Sequence, residues 1–393
     1  MGILLAIILL SVMVLIHEFG HFVVAKLFKV PVREFSLGMG PRIVSKVWHN
    51  TRYSIKTFPI GGSCAMIGED AAGSGDFTRE EGVTIDEEGL VDFEGVKFTK
   101  EEIEKNNYSV ISPIKKFFIC LAGPFMNFLL AFVLAFFLVQ KTGFDVPIIT
   151  SVTENSAATM ATPVPLEAGD EIIELEVPGQ KEKIISYRDI LLFLQLNSTE
   201  ISEKKYPLAT TFKRGNNIYK SVLYPKYDET LGRSIIGISF SQASTMPHGI
   251  VEIFKMAGKE FYFYIKTTIM SIRLLINGKL GARDVSGPVG AVAVMGSAIN
   301  ESATGGASAV IYTIMSLVIL LSSNLGVMNL LPIPALDGGR IVFATIEMII
   351  GRPIDKNIEG VANSITLILL LIFMIWIFGL DIYKIMTGTL FTN

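Results

Sequence analysis

His17-Glu18-Phe19-Gly20-His21 is the stretch of this 393-residue chain whose residue types and spacing are best suited to chemistry. On a helix, two histidines four apart project from one face, about 6 Å apart along the axis. Both imidazoles then reach one metal ion, and Glu18, one position round, can address a water on it. His-Glu-x-x-His is the metalloprotease pattern in which the glutamate is the general base. The second chemical stretch lies far along the chain and reads Asn329-Leu330-Leu331-Pro332-Ile333-Pro334-Ala335-Leu336-Asp337-Gly338-Gly339-Arg340. Two prolines break a helix there, two glycines permit close backbone approach, and Asp337 supplies a carboxylate. Catalytic zinc usually takes three protein ligands and leaves a fourth position to water. His17, His21 and Asp337 make such a set, with an oxygen ligand that suits zinc's borderline softness. The plainer alternative for Asp337 is a helix cap at the Gly-Gly turn with Arg340 as ion partner. His49 and His248 fall in loops and read as surface residues.

The surroundings of the first motif matter as much as the motif. From Ile3 to Ile16 nearly every residue is aliphatic, and Phe22 to Leu27 continues the run. An ionisable side chain at mid-bilayer costs roughly 2.5–3.5 kcal/mol on insertion scales, so such residues mark sites; polar contacts between helices are the bland alternative. The chain is 50% hydrophobic and 18% charged, an integral membrane protein with soluble parts. Its net charge of −3, with no basic face, excludes a nucleic-acid role, and no nucleotide is expected either. With only Cys64 and Cys120, neither a disulfide framework nor a thiolate metal cluster is possible. The first apolar run lacks a basic n-region and a small-residue cleavage site, and is read as a retained span.

Four apolar runs reach the roughly 20 residues that a bilayer requires: Gly2–Phe28, Phe117–Val139, Ala309–Leu331 and Ser364–Tyr383. A shorter one, Ile341–Ile350, is expected to pack beside the third span or re-enter. Basic residues cluster after span one (Lys26, Lys29, Arg33, Arg42), before span two (Lys115, Lys116) and after span three (Arg340, Arg352, Lys356). These ends fall on the cytoplasmic side if the N-terminus is outside. The expected organisation is a first transmembrane helix over 1–28, a membrane-associated β-ribbon over 29–68, an acidic cytoplasmic loop over 69–110 that includes Asp86-Glu87-Glu88-Gly89, and a second transmembrane helix over 111–140. An outer module over 141–230, an amphipathic helix over 247–280, a third transmembrane helix over 309–340 and a fourth over 363–385 follow. The ribbon shows short alternating runs and is expected to dip into the membrane and to end at a bend, Phe58-Pro59-Ile60-Gly61-Gly62. In span two, Ala122-Gly123-Pro124 and Asn127 are assigned to helix packing, with Asn127 needing an internal partner. The outer module has β-rich runs at Ile148–Val152, Glu171–Leu175, Leu208–Phe212 and Ile218–Leu223 and one helix, Tyr187–Leu196. The helix from Gly249 to Leu275 suits either the membrane surface or packing against the module.

Together these residues resemble the site-2 protease family of intramembrane zinc metalloproteases (peptidase family M50), in its regulator of sigma-E protease (RseP/RasP-like) branch. The resemblance is carried by His-Glu-Phe-Gly-His, Phe-Pro-Ile-Gly-Gly, Ala-Gly-Pro-x-x-Asn, Ser-Gly-Pro-Val-Gly and Asn-x-x-Pro-x-Pro-x-Leu-Asp-Gly-Gly, spread over nearly the whole chain. It implies a multi-pass α-helical membrane protein with four transmembrane helices, a membrane-dipping β-ribbon and one extracytoplasmic PDZ-like α+β module. It implies Zn2+ on His17, His21 and Asp337, and Glu18 as catalytic base. It also implies a substrate groove bordered by Asn329, Pro332 and Pro334, and a ribbon near Phe58, Gly61 and Gly62 that pairs with unwound substrate, added as a strand to Tyr53–Phe58. The implied substrates are single-span membrane proteins, an anti-sigma factor or a signal-peptide remnant, cut at the cell membrane near its cytoplasmic face. Two features depart from the family: only one module fits between spans two and three, and the usual Ala-Gly-Leu-x-x-Gly-Asp turn is replaced by a segment running from Thr162 to Asp170. Screening substrates by size is therefore as open to the module as gripping a C-terminus. A divalent-metal transporter and an inactive scaffold are the rival classes; Glu18 between the histidines and the complete ligand set count against them.

Overall fold

The computed structural model describes residues 2–69, 83–85, 89–197, 201, 206–228, 233–240, 244–278 and 286–387. The acidic Asp86-Glu87-Glu88 run lies outside them. Helix α1 (Gly2–Leu27) leads into two long strands, β1 (Val32–Trp48) and β2 (Thr51–Met66). Three short strands follow, β3 (Val83–Ile85), β4 (Val91–Phe93) and β5 (Val96–Phe98), then helices α2 (Lys100–Asn106) and α3 (Pro113–Thr142). Next come β6 (Glu171–Val177), β7 (Gln180–Lys183), α4 (Tyr187–Leu196), β8 (Leu208–Arg214) and β9 (Asn217–Leu223). Five helices follow: α5 (Ile250–Ile276), α6 (Pro288–Ser302), α7 (Ala307–Asn329), α8 (Asp337–Ile350) and α9 (Lys356–Thr387). Helices α1, α3, α7 and, from Ile358, α9 are long and apolar enough to cross a membrane, which matches the four expected runs. Helix α3 begins at Pro113 rather than Phe117, since proline at the first helical position forfeits no hydrogen bond.

Two compact units divide the chain, Met1–Leu134 with Tyr264–Asn393 and Ala135–Phe263. In the first, β1 and β2 form a ribbon whose tip has His49 and Asn50 both left-handed, φ 47° and 50°, as a two-residue hairpin turn requires. Each strand bends once, β1 around Gly38–Pro41 and β2 around Phe58–Gly61. The ribbon thereby folds over, so that Phe35 pairs with both Tyr53 and Cys64, and Leu37 with both Ile55 and Gly62. Gly38 sits at the bend with φ 86°, and a side-chain carbon there would lie 2.4 Å from the Phe58 carbonyl oxygen. The resulting order is residues 44–48, 51–55, 32–37 and 62–66.

Two expectations are corrected by this geometry. The Phe58–Gly62 segment bends the ribbon without ending it, because β2 continues to Met66 along Val32–Leu37. Tyr53–Ile55 is an interior strand, Tyr53 pairing with Phe35 and Lys46 and Ile55 with Leu37 and Val44, so those residues have no free edge to offer a substrate. The outer strand nearest α1 is Gly62–Met66.

The bend is riveted by charge. Glu34, fully buried, accepts two bonds from Arg42 at 2.9 and 2.8 Å and one from the Ser54 hydroxyl. Arg42 also reaches Glu94, in the turn between β4 and β5, at 2.5 Å. The acidic loop expected over 69–110 therefore has structure of its own: an antiparallel β3-β4-β5 sheet, and α2 opened by a Thr99–Glu102 capping box. Its first residue, Glu69, is buried against Arg340. Acidic composition suggested solvated chain; acids with arginine partners from distant segments make it folded chain instead.

In the second unit the sheet order is β9-β8-β6-β7, all antiparallel. Helix α4, capped by Ser186 and Asp189, adds Ile190 and Phe193 to a core with Ile172, Leu175, Leu208 and Phe212. Strand and helix positions follow the sequence reading closely. The unit runs on past residue 230, as Ile236 joins the core and Glu260 of α5, itself buried, pairs with Arg188 at 3.0 Å. The first half of α5 thus has the packing role among the two read for it.

Burial alone would raise the pKa of Glu34, but the bonds from Arg42 and Ser54 and the nearby Lys56 and Arg42 charges hold it below its ordinary value. A folded-state pKa depressed in this way supplies stability above the unfolded pKa of about 4.3 and loses it as pH falls through the folded value. Hydrogen exchange across residues 34–56, corrected for intrinsic rates, should therefore show protection lost on acidification below about pH 4. In Glu34→Gln, protection should be lower at pH 7 and flat with pH; a wild-type-like profile would refute the role of the pair.

Candidate metal centre

Helix α1 presents His17 and His21, both buried, one turn apart on its inner face. Asp337 is the first residue of α8, delivered by the broken segment after α7. Two glycines make that delivery possible. A side-chain carbon at Gly338 would lie 2.1 Å from the Leu331 carbonyl oxygen, and one at Gly339 2.4 Å from that of Ile333. The Asp337 carboxylate lies 3.0 Å from His17 Nε2 through Oδ2 and 3.4 Å from His21 Nε2 through Oδ1. The two Nε2 atoms are 3.3 Å apart.

These separations provide the fit test for a metal. Donors held about 2.0–2.2 Å from one tetrahedral ion stand about 3.3–3.6 Å from each other. The closest approaches among His17, His21 and Asp337, 3.0 to 3.4 Å, lie at or slightly below that separation, with the two on Asp337 made by different carboxylate oxygens, in a 2-nitrogen, 1-oxygen set suited to zinc. Asp337 is no side-chain cap for α8, whose N-cap Leu336 makes none, and Arg340 turns to Glu69 instead.

The far nitrogens of both imidazoles are held. His21 Nδ1 donates to the Ile119 carbonyl at 2.7 Å, which leaves its Nε2 lone pair for the metal. His17 Nδ1 lies 3.1 Å from the side-chain amide of Asn127. If the amide nitrogen faces it, Asn127 Oδ1 is buried with no partner and His17 Nε2 must carry the proton. If the amide is turned so that Oδ1 accepts Nδ1–H, the tautomer conflict vanishes and Nε2 is free to ligate. Asn127, read from sequence as a packing residue, is thus a second support of the ligand set. The sequence suggests a packing role for Gly123 as well. A side-chain carbon there would lie 2.3 Å from His21 Nε2 and 2.8 Å from His17 Cε1, so its absence makes room for both imidazoles. The requirement that Asn127 find an internal partner was visible in the sequence; the identity of that partner was not.

A cavity of about 190 Å³ opens onto His17, His21 and Asp337, and Glu18, Cys64, Glu69, Asn329 and Arg340 also line it. At about 30 Å³ per water it holds several. Asn329 Nδ2 stands 3.4 Å from His17 Nε2. Gly62 faces the site: a side-chain carbon on it would be 3.3 Å from Glu18 Cγ. The remaining residues named for substrate contact lie elsewhere. Phe58 is exposed at the ribbon bend with its ring against Gly40, and Gly61 faces Met39. Pro332 is exposed, and the Pro334 backbone packs on Gly339. Cys64 and Cys120 are buried free thiols.

A family model described as Peptidase family M50 matches residues 5–373. A protein of Clostridium acetobutylicum described as a candidate zinc metalloprotease is 32% identical, over 95% of this chain and 95% of its own. One of Fusobacterium nucleatum, described likewise, is 32% identical over 98% and 99%. The zinc metalloprotease RasP of Geobacillus kaustophilus is 28% identical over 96% and 97%.

Gly123→Ala should push the two imidazoles apart, weakening metal retention at least about tenfold, the scale at which supporting residues act. The check is metal content after graded chelation, with circular dichroism showing the helices intact. Undiminished retention in the alanine variant would mean the imidazoles do not depend on that clearance.

Proposed function

The chain belongs to peptidase family M50 and is a zinc metalloendopeptidase of the cell membrane, and from that premise we propose that it hydrolyses a peptide bond in or next to the transmembrane segment of a single-span protein. The observation that carries this reading is the meeting of His17, His21 and Asp337 within 3.0–3.4 Å of one another on apolar helices, with Glu18 on the same cavity wall. Zinc, when bound by His17, His21 and Asp337, supplies a Lewis acid that makes water a nucleophile near neutral pH and polarises a carbonyl. Glu18 takes the proton of the attacking water and returns it to the leaving amine. Asn329, beside His17, is placed to donate to the substrate backbone, and the cavity polar groups admit the water that hydrolysis consumes.

A transmembrane substrate arrives as a helix whose carbonyls are engaged in intrahelical bonds, and cleavage requires one of them freed. The outer strand Gly62–Met66 offers backbone groups to an extended segment, and strand addition there holds the substrate beside Glu18. Gly62 contributes by having no side chain to stand between the two. This replaces Tyr53–Phe58 as the strand that receives substrate. The basic ends of the spans set the topology, with N-terminus and soluble module extracytoplasmic and the metal toward the cytoplasmic face. The module acts as a PDZ-like size filter or recruiting domain, and the substrates are anti-sigma factors or signal-peptide remnants, as the family resemblance implies.

The test is cleavage of a single-span model protein, its outer domain removed, by purified wild type and Glu18→Gln, with zinc measured in both. Wild type should cleave and carry about one zinc per chain. Glu18→Gln should carry the same zinc and lose about 10²–10⁴-fold in rate. Equal cleavage by both proteins would remove Glu18 from the mechanism, and wild type without zinc would remove the metal.

A further inference from the structure

Asn363, on the long apolar helix α9, is fully buried, and nothing in the sequence singled it out. Its Oδ1 accepts the Ala335 N–H at 3.0 Å. Ala335 belongs to the segment that links α7 to α8 and delivers Asp337. Pro332 and Pro334 have no N–H to offer. The Leu331 N–H bonds to the Met328 carbonyl, that of Ile333 to Leu331, and that of Leu336 to Ile333. Among these, the Ala335 N–H alone bonds to a side chain, and one distant in sequence, 28 residues on. Ala335 also has φ 70°, a conformation that residues with a side chain seldom hold without outside restraint. Ala335, Leu336 and Asp337 all line the metal cavity. The other end of the Asn363 amide, Nδ2, is buried with no partner. A half-satisfied amide on a membrane-spanning helix is disfavoured against an aliphatic side chain of similar size, which points to a task for the end that is engaged.

We propose that Asn363 is a positioning residue for the metal ligand Asp337. By accepting the Ala335 N–H it locks the connecting segment in its left-handed turn and so fixes where the carboxylate meets His17 and His21. The inference rests on the zinc reading of those three residues, and goes beyond it by recruiting α9 to the site.

The experiment uses the full chain in detergent: wild type, Asn363→Leu, Asn363→Ala, and each variant combined with Ala335→Gly. Zinc retention against a graded chelator, the absorption spectrum of the cobalt-substituted protein, Tm, kcat and KM are read together. Removing the amide should weaken zinc retention about ten- to a hundred-fold, alter the cobalt spectrum, and lower kcat with KM little changed. Ala335→Gly should restore much of the retention, because glycine holds a positive φ unaided. The alanine variant carries the test if the leucine variant does not fold. Variants that bind zinc as tightly as wild type with an unchanged cobalt spectrum, whatever their Tm, would overturn the proposal. So would a loss of zinc that Ala335→Gly leaves untouched. Wild type that holds no zinc would instead overturn the metal reading on which this one stands.

Discussion

Polar groups inside an apolar helix bundle must find their partners within the protein or in a small wet cavity, and the structure of this protein around its site follows from that one constraint. Two imidazoles and a carboxylate are brought within 3.4 Å of one another, each ring is held from behind, and the last carboxamide in the set is buried on α9. The glycines answer the same constraint from the steric side. Gly20 lets α1 approach the Ala122 carbonyl, where a side-chain carbon would lie 2.2 Å away, and Gly123 leaves the space that both rings occupy. Close backbone approach and a converging donor set are therefore one feature seen from two directions.

The cavity brings a second ionic arrangement close to the first. Glu69 follows directly on the ribbon, Arg340 is one turn after Asp337, and the two pair with side chains almost wholly buried. The pair joins the end of the strand nearest Glu18 to the helix that carries Asp337. A buried ion pair of this kind contributes little net stability over an apolar pair of the same shape, yet losing one partner leaves a charge stranded. Its value here is registration: the ribbon edge and Asp337 cannot shift independently while both charges are satisfied.

Sequence legibility divides along the range of the interactions involved. The four spans, the His17–Glu18–His21 face and most strands of the soluble module are set by local pattern, apolar length or alternation, and their positions agree with the sequence reading. The meeting of Asp337 with the two histidines is foreshadowed by its own unusual segment, with two prolines and two glycines about a carboxylate. What escaped was pairing at distance. Glu69 looks like any acidic loop residue until Arg340 is beside it, 271 positions away. The ribbon's glycines announced a bend, but only the fold-over shows that Tyr53 becomes interior and Gly62–Met66 the edge. Asn127 reads as one polar residue in an apolar run and Asn363 stands just before another, and the local pattern does not specify the histidine or the backbone N–H that each one serves.

The division of labour on α1 then has a physical reason. His17 and His21 are immobilised by backbone and amide partners, which suits the metal ligation proposed for them, since a ligand that wanders loses its ion. The general base proposed at Glu18 has the opposite need, to accept a proton in one step and give it up in the next. Glu18 lies one position round the helix from His17, lines the open cavity and faces Gly62, a residue with no side chain to hinder it. One helix turn thus carries two fixed imidazoles and one unencumbered carboxylate, and Gly62 sets the outer strand of the ribbon directly against the residue proposed to move the proton.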